Sequence, residues 1–200
     1  MDFYAHNAVA VLAFSQGAGY PCLSVKVLAE LADLLSEVTG SGLFHGVVIA
    51  ANSRSFASGA RIEEVAAVEG VPGRDFALKG QGLFQRIANF PLPVVAAIRG
   101  YCLGGGLDLA LACHARVATY DACFGHPGAA LGLITGWGGT QRLARLVGRA
   151  AATQLLLTAE RIPATQALTL GLVDELVPAA DLVEAAARRA GFKAASCGTR

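Results

Sequence analysis

The chain has 200 residues, 54% of them hydrophobic and 16% charged, with a formal net charge of +1. That is enough apolar material for one well-buried domain, and with no Lys/Arg run there is no electrostatic basis for nucleic-acid binding. No uncharged apolar stretch reaches the roughly 18 residues of a membrane span, and the opening residues lack the basic-then-apolar pattern of a secretory leader, so a cytoplasmic protein is expected.

Residues 8–14 and 46–50 are short β-rich apolar runs, and residues 24–38 between them carry apolar side chains at helical spacing behind Ser24 as N-cap. A β-α-β unit of this kind predicts a parallel sheet. Helices are expected over 62–68 and 76–90, separated by the breaker Gly70-Val71-Pro72-Gly73, followed by a strand over 94–98. After Gly104-Gly105-Gly106 the pattern predicts a helix over 107–113, a strand over 115–118 and a further short strand over 123–125. Helices then dominate, at 140–146, 150–157 and 164–169, the last with Pro163 at its start. A short strand over 173–177 precedes a helix running from Asp181 as N-cap to Arg189. The reading is a single domain over 1–190 with an irregular tail at 191–200, where no period or apolar face is visible. Cys22, Cys102, Cys113, Cys123 and Cys197 are odd in number and form no C-x-x-C pair, so they support neither a disulfide framework nor a zinc site and read as buried thiols.

The triple glycine carries the chemistry. A strand that breaks at Gly104-Gly105-Gly106 and re-emerges as a helix leaves backbone N–H groups pointing outward beside the helix's positive end, which suits a developing oxyanion. A second donor is available in Ser55-Phe56-Ala57-Ser58-Gly59-Ala60, directly after the strand at 46–50, because parallel sheets gather such loops at the carboxyl ends of their strands. The pair expected is Ala60 and Gly105. The competing reading is that the glycines only permit a tight turn and close helix packing. Gly138-Gly139 lacks the G-x-G-x-x-G context, which argues against dinucleotide binding.

At these positions the sequence resembles the crotonase (enoyl-CoA hydratase/isomerase) superfamily. The resemblance runs through Phe56-Ala57-Ser58-Gly59-Ala60, the stretch from Pro93 to Gly106, Phe124-Gly125-His126-Pro127, Leu131-Gly132-Leu133, Gly138-Gly139-Thr140-Gln141-Arg142-Leu143, and Ala167 to Asp174, in order over roughly residues 8 to 185. It implies an α/β fold, a crotonase-like (ββα)n spiral core with C-terminal helices, the last of which are truncated here. It also implies an acyl-CoA thioester substrate, assembly into homotrimers or hexamers, and no cofactor beyond the coenzyme A of the substrate.

The same resemblance assigns the oxyanion donors to Ala60 and Gly105 and the proton-transfer group to Asp108. Substrate contacts fall at Ala57, Ser58, Gly59, Arg61, Ile62, Gly104, Gly128 and Trp137, with CoA lying across residues 15–23 and 54–62 and Lys26 near its phosphates. Hydratases of the family carry two glutamates. The first position is Asp108, a shorter carboxylate, and the second is Gly128, which has no side chain. This speaks against two-glutamate hydration. Dienoyl-CoA isomerases do use aspartate at the Asp108 position, but their second aspartate falls at Gly136. His126 is the compensating base or a hydrogen-bonded loop histidine. Trp137 either walls the acyl pocket or packs in the core, and Thr135 binds substrate or shapes a turn. The rival to an acyl-CoA enzyme of the hydratase/isomerase type is a catalytically impaired acyl-CoA-binding or assembly subunit on the same fold.

Overall fold

The computed structural model describes residues 1–15, 20–51, 54–67 and 70–191. Strands β2 (Val9–Phe14) and β3 (Gly46–Ala51) flank helix α1 (Val25–Ser41) and pair in parallel, as the β-α-β pattern predicts. Ser24 caps α1: its hydroxyl accepts from the Val27 amide at 3.2 Å. A strand absent from the sequence reading, β1 (Asp2–His6), pairs antiparallel with β2. Its residues are exposed or half-buried, with none buried, so the chain there carries no continuous apolar run.

Helix α2 (Ile62–Ala66) is shorter than expected, and residue 68 of that expectation lies outside the described residues. Helix α3 (Gly70–Ala88) takes up the breaker segment as its first turn. Proline is tolerated there because the first amides of a helix have no intrahelical acceptor. Strand β4 (Val94–Ile98), as expected, is followed by a turn at Gly100 and by β5 (Tyr101–Leu103), a short strand the sequence reading did not include. Helix α4 (Gly105–Ala112) starts two residues earlier than expected. Then come β6 (Ala115–Thr119), β7 (Cys123–Gly125), a 3-10 turn (Pro127–Leu131), α5 (Gly139–Val147) and α6 (Arg149–Leu157). The unforeseen β8 (Arg161–Pro163) precedes α7 (Ala164–Thr169), β9 (Glu175–Val177) and α8 (Leu182–Gly191). Asp181, expected to cap α8, instead closes the 3-10 turn Ala179–Asp181 before it. Residues 192–200, including Cys197, lie outside the described residues.

The large sheet has the order β1-β2-β3-β4-β6-β9, parallel from β2 onward. A second layer is built from β5, β7 and β8, and the bridges Leu23↔Ala60 and Ala57↔Cys102 extend it across the loops after β2 and β3. Successive segments thus give one long strand to the large sheet and one short pairing to the second layer, which is the (ββα)n spiral. Side chains alternate across the large sheet: Leu12, Ile49 and Ala96 join the core under α1, α3 and α4, whereas Val11, Val48, Val95 and Val117 pack under α8. The α8 side is tight, because a β-carbon at Gly46 would lie 2.3 Å from the Ala190 carbonyl oxygen. Among the described residues no helix is long and apolar enough to cross a membrane.

Candidate active site

The register of the second layer positions the site. Ala57 is fully buried, and both its backbone groups are bound to β5: its amide donates to Tyr101 O at 3.0 Å and its carbonyl accepts from the Leu103 amide at 2.9 Å. Gly104, beyond β5, donates to Gly125 O at 2.9 Å and has φ +51° and ψ −123°, a conformation open to glycine. The two loops are pressed together. A β-carbon at Gly105 would lie 3.3 Å from the Ala60 nitrogen, one at Gly59 would lie 3.5 Å from the Gly105 nitrogen, and one at Gly106 would lie 2.6 Å from Ala57 O. Among the described residues, neither the Ala60 amide nor the Gly105 amide donates to a backbone carbonyl. Gly105 opens α4, so its amide is one of those a helix leaves without an internal acceptor.

Asp108 sits in the first turn of α4 and is fully buried. Its Oδ2 accepts from the Thr135 hydroxyl and from the Trp137 amide at 3.3 Å. Burial raises the carboxyl to about 6, against the opposing pull of these donors, the Gly139 amide and the Arg142 cation. Thr135, read as a substrate contact or a turn residue, therefore uses its hydroxyl on the carboxylate. Arg142 is held by the Trp137 carbonyl at 3.0 Å and Gln85 Oε1 at 3.3 Å.

His126 follows β7, whose parallel pairing with β5 sets it beside the glycine run. It is 3% exposed, and its Nε2 lies 3.7 Å from Asp108 Oδ1. Burial lowers the imidazole to about 4, so it is neutral in this site near pH 7. The buried side-chain polar atoms without a hydrogen-bond partner among the described residues are Asp108 Oδ1 and both ring nitrogens of His126. Native cores satisfy nearly all such atoms, so two adjacent orphans mark a place arranged for something other than packing.

Trp137 is 3% exposed, with Phe76 and Phe84 at centroid distances of 5.3 Å and 5.6 Å. It is a core side chain and also lies against the glycine loop: a β-carbon at Gly105 would approach its six-membered ring to 2.4 Å. The other expected contacts are more scattered. Ser58 donates to Pro21 O and contacts Cys22 Sγ, Arg61 precedes α2 and is exposed, and Ile62 is exposed. Gly128 lies in the 3-10 turn, with its carbonyl accepting from the Leu133 amide at 2.9 Å. Lys26 is exposed on α1, while residues 16–19 of the expected CoA loop are outside the described residues. Gly139 was not singled out by its sequence context; its signal was the glycine pair opening a helix. Cys102 and Cys113 are buried as expected, but Cys22 and Cys123 are only half-buried. Among the described residues no three His, Cys, Asp or Glu side chains come together to hold a metal ion.

The profile of the enoyl-CoA hydratase/isomerase family matches residues 4–195. The chain belongs to the enoyl-CoA hydratase/isomerase family. It is 37% identical to the short-chain-enoyl-CoA hydratase of Clostridium acetobutylicum over 179 residues, covering 89% of this chain and 69% of that protein. It is 40% identical over 185 residues to the fatty acid oxidation complex subunit alpha of Shewanella loihica, covering 90% of this chain but spanning 26% of that protein. In three dimensions it is similar to the enoyl-CoA hydratase of Thermoplasma volcanium, with a TM-score of 0.90 at 30% identity over 96% of this chain and 77% of that one. At Gly128, where the family resemblance leads one to expect a glutamate, a β-carbon would meet Leu133 O at 3.4 Å.

Proposed function

We propose that the protein processes acyl-CoA thioesters by hydratase/isomerase-type chemistry, with the Ala60 and Gly105 amides receiving the thioester oxygen as the enolate forms and Asp108 moving the proton. The observation that carries this reading is the packing of two amides without backbone acceptors against each other, next to a buried carboxylate with one unpartnered oxygen. Each such donor contributes about 3 kcal/mol to a transition state that places charge on oxygen. The chemistry needs no metal or redox group, since the electron pair of the broken C–H bond moves into the thioester carbonyl and returns.

Proline at 105 would remove an amide but drive a ring into Trp137, so position 60 gives the cleaner test. Ala60→Pro removes an N–H that donates to no backbone carbonyl among the described residues. We expect a folded variant, by circular dichroism, that binds acyl-CoA but turns over a crotonyl- and 3-enoyl-CoA panel about 100-fold more slowly. Unchanged turnover sinks the reading. Assembly into trimers or hexamers belongs to the same proposal and is checked by light scattering.

The glycine at 128 favours a second reading, an impaired acyl-CoA-binding or assembly subunit. Tight acyl-CoA binding with no turnover of the panel by the unmodified protein would select it.

A further inference from the structure

Among the described residues, the buried side-chain atoms left without hydrogen bonds belong to two residues only, and those two face each other. Asp108 Oδ1 and His126 Nε2 are 3.7 Å apart, beyond hydrogen-bond length but within the reach of a small rotation of either side chain. The other oxygen of Asp108 is fixed by Thr135 and the Trp137 amide, so the carboxyl group is anchored through Oδ2 and offers Oδ1 to its surroundings. Nothing similar anchors the imidazole, whose Nδ1 is as bare as Nε2. The backbone explains the encounter. Parallel pairing of β5 with β7 sets Leu103 beside Gly125, so the residue after Gly125 meets the helix that starts at Gly105.

We propose that His126 is a positioning residue for Asp108: its neutral imidazole offers Nε2 as acceptor for a proton carried on Oδ1, so that the pair transports one proton between two carbons of an unsaturated acyl thioester. This rests on the proposed function above and deepens it. The C–H bond next to the double bond breaks and an O–H bond forms on Oδ1, while the electron pair passes into the dienolate held at the thioester oxygen. The O–H group waits in a hydrogen bond to Nε2. It then breaks as a C–H bond forms two carbons along, and the electron pair returns from the oxygen, leaving the double bond moved. Only one proton-carrying carboxyl is used, which matches a chain with Asp108 and no side chain at 128.

The environment suits that role. The groups that bear on Asp108 are the Arg142 cation from α5, the Thr135 hydroxyl, the Trp137 and Gly139 amides, and the Cys102 thiol from β5, which is itself held neutral by burial. Burial lifts Asp108 to about 6 and depresses His126 to about 4, so a shared proton resides on the carboxyl and the ring stays an uncharged acceptor. A cationic imidazole would instead hold the carboxylate ionised.

The test compares the wild type with His126→Leu, which fills the space without a nitrogen, and His126→Gln, which restores an acceptor. Trans-3-hexenoyl-CoA is the probe, and the Asp108 carboxyl carbon is followed by 13C NMR across the titration. In His126→Leu we expect kcat for the double-bond shift to drop about tenfold with KM little changed, and the Asp108 midpoint to move down by about half a pH unit or more, because the protonated form has lost its acceptor. His126→Gln should recover part of both. A folded His126→Leu with the wild-type Asp108 midpoint and kcat overturns the proposal. If His126→Leu does not fold, the 15N shifts of the wild-type ring decide: Nε2 bare of hydrogen while Asp108 is protonated supports it, and Nε2–H in that state refutes it. Absence of any acyl-CoA binding or turnover by the wild type would instead strike the proposed function, with the carboxyl titration still reporting whether the two residues are coupled.

Discussion

Gly139 stands so close to Asp108 that a β-carbon there would lie 1.9 Å from the carboxylate Oδ1 and 2.9 Å from the Thr135 methyl. The start of α5 is therefore a wall of the carboxylate's pocket, and only glycine lets it close that far. Gly139→Ala must push Asp108, Thr135 or the helix start aside. The expected result is a loss of about 1–3 kcal/mol of stability and a drop in acyl-CoA turnover larger than that in acyl-CoA affinity. Chemical denaturation and steady-state kinetics on the same preparation read both, and wild-type kinetics would show that the carboxylate's placement does not matter to the reaction.

The orphan pair also shapes the pH dependence of stability, with opposite signs. The folded chain holds Asp108 near 6, above the ordinary 3.8, so the native state binds the extra proton and this contribution is full below 3.8 and lost as pH rises toward 6. His126 is held near 4, below the ordinary 6.5, so its contribution is present above 6.5 and lost as pH falls toward 4. Between pH 4 and 6 the two slopes oppose each other, each at up to about 1.4 kcal/mol per pH unit. Relative to the wild type, Asp108→Asn should gain stability as pH rises through 3.8 to 6, reaching about 2–3 kcal/mol near pH 7. His126→Leu should move the other way, its stability relative to the wild type declining from pH 4 to 6.5. Urea midpoints measured at half-unit pH steps for the three proteins give these differences directly. Parallel curves would mean that the two groups are not desolvated in solution as they are in the structure.

Position 128 has room for what the family resemblance expects there. A β-carbon would make ordinary contacts, 3.4 Å to Leu133 O and 3.5 Å to Leu133 Cβ, and the backbone there does not require glycine. Gly128→Glu should fold, and if the site is a hydratase lacking its second carboxylate, crotonyl-CoA hydration should rise by about 100-fold, the scale of a positioned acid–base group. Hydration is followed by loss of enoyl absorbance. No rise, with acyl-CoA binding intact, points to the one-carboxylate chemistry argued for Asp108 and His126.

What the sequence disclosed depended on how much each signal was local. The buried parallel strands β2, β3 and β4 are uninterrupted apolar runs and were legible as such, as was α1 behind Ser24. The three-residue strands β5 and β8 were not, because their pairing partners lie elsewhere in the chain and three residues carry no period. Gly70-Val71-Pro72-Gly73 reads as a breaker by composition, yet a first helical turn accepts it. In the site, the glycine motifs and Asp108 stood out by spacing. The engagement of Thr135 with Asp108, the closeness of Gly139 and the facing of Asp108 by His126 are contacts across 27, 31 and 18 residues of chain, invisible until the fold exists.

Trp137 packs in the core and against the Gly105 loop at once, so its size offers a test of acyl-chain preference. The indole fills the space between two glycines: a β-carbon at Gly80 on α3 would come to 2.2 Å of it and one at Gly105 to 2.4 Å, with Phe76 and Phe84 closing the sides. Trp137→Phe removes volume next to the Gly105 amide while keeping an aromatic ring against Phe76 and Phe84, so the chain should fold with a loss of about 1–3 kcal/mol. If the indole bounds the acyl site, the freed space admits longer or branched chains, and the ratio of kcat/KM for an eight-carbon over a four-carbon enoyl thioester should rise about tenfold, the worth of one or two methylenes in an apolar pocket. Should both substrates slow equally, the indole acts through packing alone and chain length is read elsewhere in the molecule.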